Sequence, residues 1–121
     1  MKNLLIISAG KFGREVYSWA KQLPDYGKEW DIKGFLDSRK NILENLSYNV
    51  DIISKPEDYE PQQNDLFVCG IGDVKQRKYY IELMLNKGAK FINIIHPTVV
   101  FGKNVKIGNG VIFCPYSVFS C

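Results

Sequence analysis

The sequence predicts an α/β fold: a parallel sheet with crossing helices, then the opening of a parallel β-helix. Two observations carry this. Up to about residue 94 short apolar runs alternate with segments of helical spacing, the pattern of strands buried on both faces and joined by crossover helices. From residue 95 the apolar period changes to six. The organisation read from this change is one unit over 1–94 and a second over 95–121.

Leu4-Leu5-Ile6-Ile7 is a continuous apolar run, as expected of a buried parallel strand. Phe12, Val16, Trp19, Ala20 and Leu23 recur at helical spacing before Pro24 closes the segment. Asp31 to Leu36 reads as a second strand leading into Asp37-Ser38, and Tyr48 to Ile53 as a weaker one. Pro56 and Pro61 make 54–64 a loop or a short helix. Leu66-Phe67-Val68-Cys69 is a further buried strand ending at Gly70-Ile71-Gly72. A helix from about Asp73 to Asn86 follows, with Gly88 as its C-terminal cap, and Ala89 to Ile95 returns as a strand.

Ile95, Phe101, Ile107, Phe113 and Phe119 then stand six residues apart, each followed by His96, Gly102, Gly108, Cys114 or Ser120, mostly small. Val99, Val105, Val111 and Ser117 repeat four positions after each anchor. In a triangular β-helix each hexad supplies one face, the anchor points inward and the small residue permits the corner. Residues 101–118 make one coil of three hexads. A stack of about one and a half coils leaves an end unburied, so the expectation is a piece of a longer protein.

Composition narrows the function. Aromatic residues at 13% are too much apolar area for a disordered chain. A net charge of +3, with Lys and Arg spread along the sequence, gives no nucleic-acid footprint. No apolar run approaches the roughly 20 residues that span a bilayer, and no signal peptide opens the chain. Cys69, Cys114 and Cys121 form no CxxC pair and His96 is the single histidine, so no metal centre is expected and the compartment expected is the cytoplasm.

The chemistry gathers at the strand tips. Ser8-Ala9-Gly10-Lys11-Phe12-Gly13 follows the first strand and opens the first helix, where a glycine turn cradles a phosphate. Gly10 allows close backbone approach and Gly13 tight helix–strand packing, while Ser8 stands where the fingerprint has its first glycine. Asp37, with Ser38, ends the second strand, where a carboxylate accepts from ribose hydroxyls or a base. Gly70-Ile71-Gly72 ends the central strand facing the same crevice, and Arg77 lies one turn into the next helix. The candidate binding set is therefore Ser8, Gly10, Lys11, Phe12, Gly13, Asp37, Ser38, Gly70, Gly72 and Arg77. His96 sits before Pro97 in a connector with no partner acid nearby, and Cys69 and Cys114 read as packing residues. No catalytic residue is assigned.

Ser8-Ala9-Gly10-Lys11-Phe12-Gly13-Arg14-Glu15-Val16, Gly34-Phe35-Leu36-Asp37, Gly70-Ile71-Gly72 with Arg77, and Ile95-His96-Pro97-Thr98 before the hexads together resemble one family. It is the bacterial sugar acetyltransferases of the PglD/NeuD type, sialic acid O-acetyltransferases and UDP-4-amino-sugar N-acetyltransferases. The resemblance implies a Rossmann-like domain that binds the nucleotide sugar and a left-handed β-helix that forms homotrimers and binds acetyl-CoA. Gly10, Lys11 and Phe12 would line phosphate and sugar; Asp37, Ser38 and Gly72 would hold the uridine. Ser8 and Ser38 depart from the family, which has glycine and a second acid there. The family's catalytic histidine and most of its acetyl-CoA groove lie in coils beyond these residues. The chain alone is therefore expected to be inactive, without bound cofactor, and a monomer or weak oligomer. Two other readings remain: an NAD- or NADP-binding redox or regulatory module, and a short non-catalytic protein that oligomerises through its β-helix stub.

Overall fold

The structure is a computed structural model that describes residues 1–95 and 98, and the strand backbone at 100–101, 112–113 and 118–119. The element order is β1 (Lys2–Ile7), α1 (Lys11–Ala20), β2 (Trp30–Leu36), β3 (Ile52–Ser54), β4 (Asp65–Cys69) and α2 (Val74–Asn86). Two-residue strands follow: β5 (Ile94–Ile95), β6 (Val100–Phe101), β7 (Ile112–Phe113) and β8 (Val118–Phe119).

The first four strands form one parallel sheet in the order β3-β2-β1-β4. Leu4 and Ile6 join one core with Val16, Tyr17 and Ala20 of α1, while Leu5 and Ile7 join the other with Met84 of α2. The alternation follows from the period of two along a strand, so β1 is apolar throughout because both its faces are covered. The chain builds β1, β2 and β3 outward in one direction, then returns to place β4 on the far side of β1. The carboxyl ends of β1 and β4 therefore flank the point where strand order reverses, the usual place for a crevice in such sheets.

Asp73 caps α2, its carboxylate accepting from the Gln76 N–H at 2.9 Å. Gly88 takes φ +88° just beyond the helix, the left-handed conformation that ends helices, as the sequence predicts. Two expected strands come out shorter. The edge strand is Ile52–Ser54, because 48–51 precede the pairing with Phe35 and Leu36. Of the strand expected over 89–95, Phe91 makes an isolated bridge to Phe67 and only Ile94–Ile95 form a strand. Around that bridge the Phe67 N–H donates to the Lys90 carbonyl at 2.9 Å and the Ile92 N–H to the Phe67 carbonyl at 3.0 Å, so pairing with β4 is confined to Phe67.

At the amino end of the sheet the buried Asp65 carboxylate accepts from the Tyr59 hydroxyl, from the Gln62 N–H at 2.9 Å and from Lys33 Nζ at 3.5 Å. Lys33 also donates to the Tyr59 hydroxyl at 2.8 Å. This network pins Tyr59 and Gln62 to the first residue of β4, at the opposite end of that strand from the tip that faces the crevice. Burial, then the bond to Asp65, pushes the Tyr59 phenol up, and the bond to Tyr59 raises the Lys33 ammonium.

In the last segment Ile94 pairs with Ile112 and Ile95 with Phe113, and Val100 pairs with Val118 and Phe101 with Phe119. Both pairs are parallel, and each partner stands 18 residues further on. That offset is the length of one coil of three hexads. The corners expected at His96, Gly102, Gly108, Cys114 and Ser120, and the positions Val99, Val105, Ile107, Val111 and Ser117, lie outside the described residues. Among the described residues no helix is long and apolar enough to cross a membrane.

Candidate functional site

The strand tips are tied together beyond the last strand residues. The Ser8 N–H donates to the Leu36 carbonyl at 2.7 Å, and the Gly70 N–H to the Ile7 carbonyl at 2.8 Å. Ser8 adopts φ +83°, so a serine holds the left-handed conformation for which glycine is the ordinary choice. Its hydroxyl oxygen accepts from the Gly10 N–H at 3.1 Å, a local bond that offsets part of the strain. The turn therefore has the shape of the glycine fingerprint although one glycine is missing from it.

Gly13 is fixed by space. A Cβ there would stand 1.9 Å from the Ser8 carbonyl oxygen, and one at Gly70 would stand 2.6 Å from the Gly13 Cα. The two glycines bring the first turn of α1 onto the tip of β4, so the N-terminus of α1 opens at the strand tips. Gly10 caps that helix without a side-chain bond, and no acidic residue lies in the first turn. The first N–H groups of a helix have no partner within it, so this end carries partial positive charge.

Asp37 is the hub. Its side chain is 4% exposed. Oδ2 accepts from the Ala9 N–H at 2.8 Å and from Arg39 Nη2 at 2.8 Å; Oδ1 accepts from the Arg39 N–H and from Arg39 Nε, both at 2.9 Å. Burial works against ionisation, but the Arg39 side-chain bonds, the two backbone N–H groups and the Arg39 charge outweigh it, holding the carboxyl below the ordinary carboxylate range. Arg39, three residues beyond the strand, is a group the sequence reading missed. The signal available was Asp-x-Arg at a strand end, where an Asx-type turn returns residue 39 to the carboxylate.

These elements surround a cleft of about 640 Å³, a size common for small-molecule sites. Ser8, Gly10, Lys11 and Phe12 form one wall and Asp37, Ser38 and Arg39 a second. Gly70, Ile71, Gly72 and Asp73 form the third, and Tyr79 and Tyr80 stand on the rim with Pro56. The two tyrosine rings meet edge to face at 4.9 Å. Of the candidates, Ser8, Gly10, Lys11, Phe12, Asp37, Ser38, Gly70 and Gly72 line the cleft. Gly13 lies beneath it, and Arg77 is exposed outside the lining. On α2 the lining is made instead by Lys75, Gln76, Tyr79 and Tyr80, three to four residues apart on one helix face, a spacing from which Arg77 is rotated. Cys69 is buried at the tip of β4, and burial pushes its thiol up, against the character of a nucleophile.

A switch-point cleft under a glycine turn on a parallel sheet defines a ligand-binding α/β domain of the Rossmann-like class. The chain belongs to the PglD N-terminal domain family, which matches residues 3–84. Known structures share the fold over nearly the whole chain. The acetyltransferase domain of PglB from Neisseria gonorrhoeae FA1090, in complex with acetyl coenzyme A, is 24% identical over 98% of this chain and 58% of its own, with a TM-score of 0.76. A variant of perosamine N-acetyltransferase from Caulobacter crescentus, in complex with CoA and GDP-perosamine, is 17% identical over 98% of this chain and 54% of its own, with a TM-score of 0.77. The chain thus spans less than two thirds of the length of these proteins. No curated protein sequence matches it.

Proposed function

We propose that residues 1–94 are the nucleotide-sugar-binding part of an acetyl-CoA-dependent sugar N- or O-acetyltransferase, and that residues 95–121 open its left-handed β-helix. The observation that carries the reading is the cleft itself: a helix N-terminus without a side-chain cap, Lys11 and Arg39 on two of the walls and two tyrosines on the rim. Cationic and N–H groups suit a diphosphate, and aromatic faces suit a base or sugar ring. The acetyl coenzyme A and GDP-perosamine of the two similar structures agree with it, as does the 18-residue offset of the last strand pairs. A UDP-amino-sugar is the favoured ligand. The full-length enzyme would be a cytoplasmic homotrimer, this chain a monomer or weak oligomer holding no cofactor.

Among the described residues no histidine lines the cleft. The lining supplies cations, N–H donors and aromatic rings, groups that hold an anion and a ring, and we assign the cleft to binding. Binding of this kind serves catalysis by fixing the acceptor relative to a thioester held elsewhere. The test is a calorimetric titration of the purified chain with a UDP-amino-sugar, GDP-perosamine and NADH. Saturable binding of a sugar nucleotide supports the proposal; binding of NADH in preference to both sugar nucleotides refutes it.

A further inference from the structure

The Asp37 carboxylate has no acceptor position to offer. Two oxygens supply about four lone-pair sites, and four protein donors occupy them: the Ala9 N–H, the Arg39 N–H, Arg39 Nε and Arg39 Nη2. The side chain is also buried, so a ligand hydroxyl would have to displace one of these donors to reach it. Arg39 is in the opposite condition. Its side chain is 58% exposed and lines the cleft, and Asp37 takes only one N–H from Nε and one from Nη2. Of the five N–H groups of a guanidinium, three are left without a protein partner among the described residues. The group also lies over the glycine turn: a Cβ on Gly10 would stand 3.3 Å from Arg39 Nη2. A forked, permanently charged donor set beside the N-terminus of α1 matches the oxygens of a phosphate better than any single lysine does.

We infer that Arg39 is the direct diphosphate ligand of this cleft, and that Asp37 is a positioning residue that touches no ligand atom but sets the guanidinium over Gly10. The inference rests on the nucleotide reading above and adds to it which residue holds the anion. Asp73, the other carboxylate on the lining, accepts from the Gln76 N–H at the α2 cap and makes no ion pair with Arg39 among the described residues. Lys11 and Lys75 add charge without fixing orientation.

The test compares diphosphates with nucleosides, UDP against uridine and GDP against guanosine, by calorimetry for the diphosphates and ligand-observed NMR for the nucleosides. Arg39→Gln is expected to weaken the better diphosphate by about tenfold or more and its nucleoside by less than threefold. Arg39→Lys should fall between, keeping the charge and losing the fork. Asp37→Asn should weaken the diphosphate and leave the nucleoside nearly unchanged, and the Arg39→Gln/Asp37→Asn double variant should bind like Arg39→Gln alone. Melting curves show that each variant is folded. Diphosphate binding that stays equal or tightens in Arg39→Gln overturns the inference and makes Arg39 a lid over Asp37. Equal loss of nucleoside and diphosphate in Asp37→Asn overturns it too, because Asp37 would then contact the nucleoside. A wild-type chain that binds nucleoside as tightly as diphosphate refutes the phosphate grip while the nucleotide reading stands. Absence of binding by all four compounds removes both.

Discussion

Replacing Gly13 by alanine sets two effects of opposite sign against each other. Gly13 is the third residue of α1, and its φ is not in the left-handed region, so helix propensity alone favours alanine by about 1 kcal/mol. Against this, the added Cβ would stand 1.9 Å from the Ser8 carbonyl oxygen and 2.8 Å from its carbon. Real Cβ atoms essentially never come within 3.0 Å of another heavy atom, so the carbonyl would have to retreat by at least 1.1 Å (3.0 less 1.9). It is held on both sides: the Ser8 N–H bonds Leu36 and the Ala9 N–H bonds Asp37. A backbone clash has no rotamer to escape into, which puts the cost at or above the upper end of overpacking, about 3 kcal/mol. The net loss is then at least ~2 kcal/mol, or a fall in Tm of about 8 °C at roughly 4 °C per kcal/mol for a chain of this size. Thermal unfolding followed by circular dichroism measures it. Gly72→Ala is the control, because nothing lies within 4 Å of its Cβ position, and its Tm should stay within about 2 °C. A Gly13→Ala chain melting at or above the wild type would mean that propensity decides and that the packing argument for the turn is wrong.

Other outcomes follow from the same geometry. Ser8→Gly relieves the φ of +83° but loses the bond to the Gly10 N–H, so it should be nearly neutral; Ser8→Ala keeps the strain and loses the bond. The two variants should differ by about 1 kcal/mol in chemical denaturation, glycine the more stable, and equal stabilities would refute the strained-turn reading. The Asp37 carboxyl is held below its ordinary value of 3.8 in the folded chain. Its stabilisation is therefore present above that value and lost as pH falls through it towards the folded one. The stability gap between wild type and Asp37→Asn should be widest near neutrality and close as pH drops below about 4; a gap constant from pH 7 to 3 refutes this. Tyr59→Phe removes a donor from the buried Asp65 and should cost about 1–3 kcal/mol in urea unfolding, with sugar-nucleotide binding unchanged. A loss below about 0.5 kcal/mol would show that Gln62 and Lys33 satisfy the carboxylate by themselves.

How much of this was legible in the sequence depends on whether the cause was local. Leu4 to Ile7 and Phe67 to Cys69 read as buried strands because both faces of the sheet are covered, and that demand is written into every residue of the run. The glycine turn was legible for the same reason. The extent of pairing after Gly88 was not, since it rests on the bonds of Lys90 and Ile92 to Phe67 and of Lys87 to the Pro56, Glu57 and Tyr59 carbonyls, partners distant in sequence. On α2 the helix was predicted but its cleft-facing side was not. The charge of Arg77 suggested a contact, whereas rotation from the Asp73 cap gives that side to Gln76 and Tyr80.

Asp37 shows the limit of reading a role from a position. A carboxylate at the end of the second strand in such a fold suggests a group waiting for a ribose hydroxyl. In this chain it joins the β1–α1 turn, through Ala9, to the residue after Ser38, and every acceptor position is used in doing so. The difference lies in one neighbour. Without a cation at residue 39 two of the four donors vanish and a buried carboxylate would need a ligand or water to satisfy it; with Arg39 present the need is met internally, and the surplus N–H groups belong to an exposed side chain that lines the cleft. The polarity the site offers a ligand is thereby changed from acceptor to donor. The chemistry at this strand tip is set by the pair rather than by the acid, and a substitution at residue 39 should alter what the cleft accepts more than one at Ser38, which lines the cleft in an exposed position.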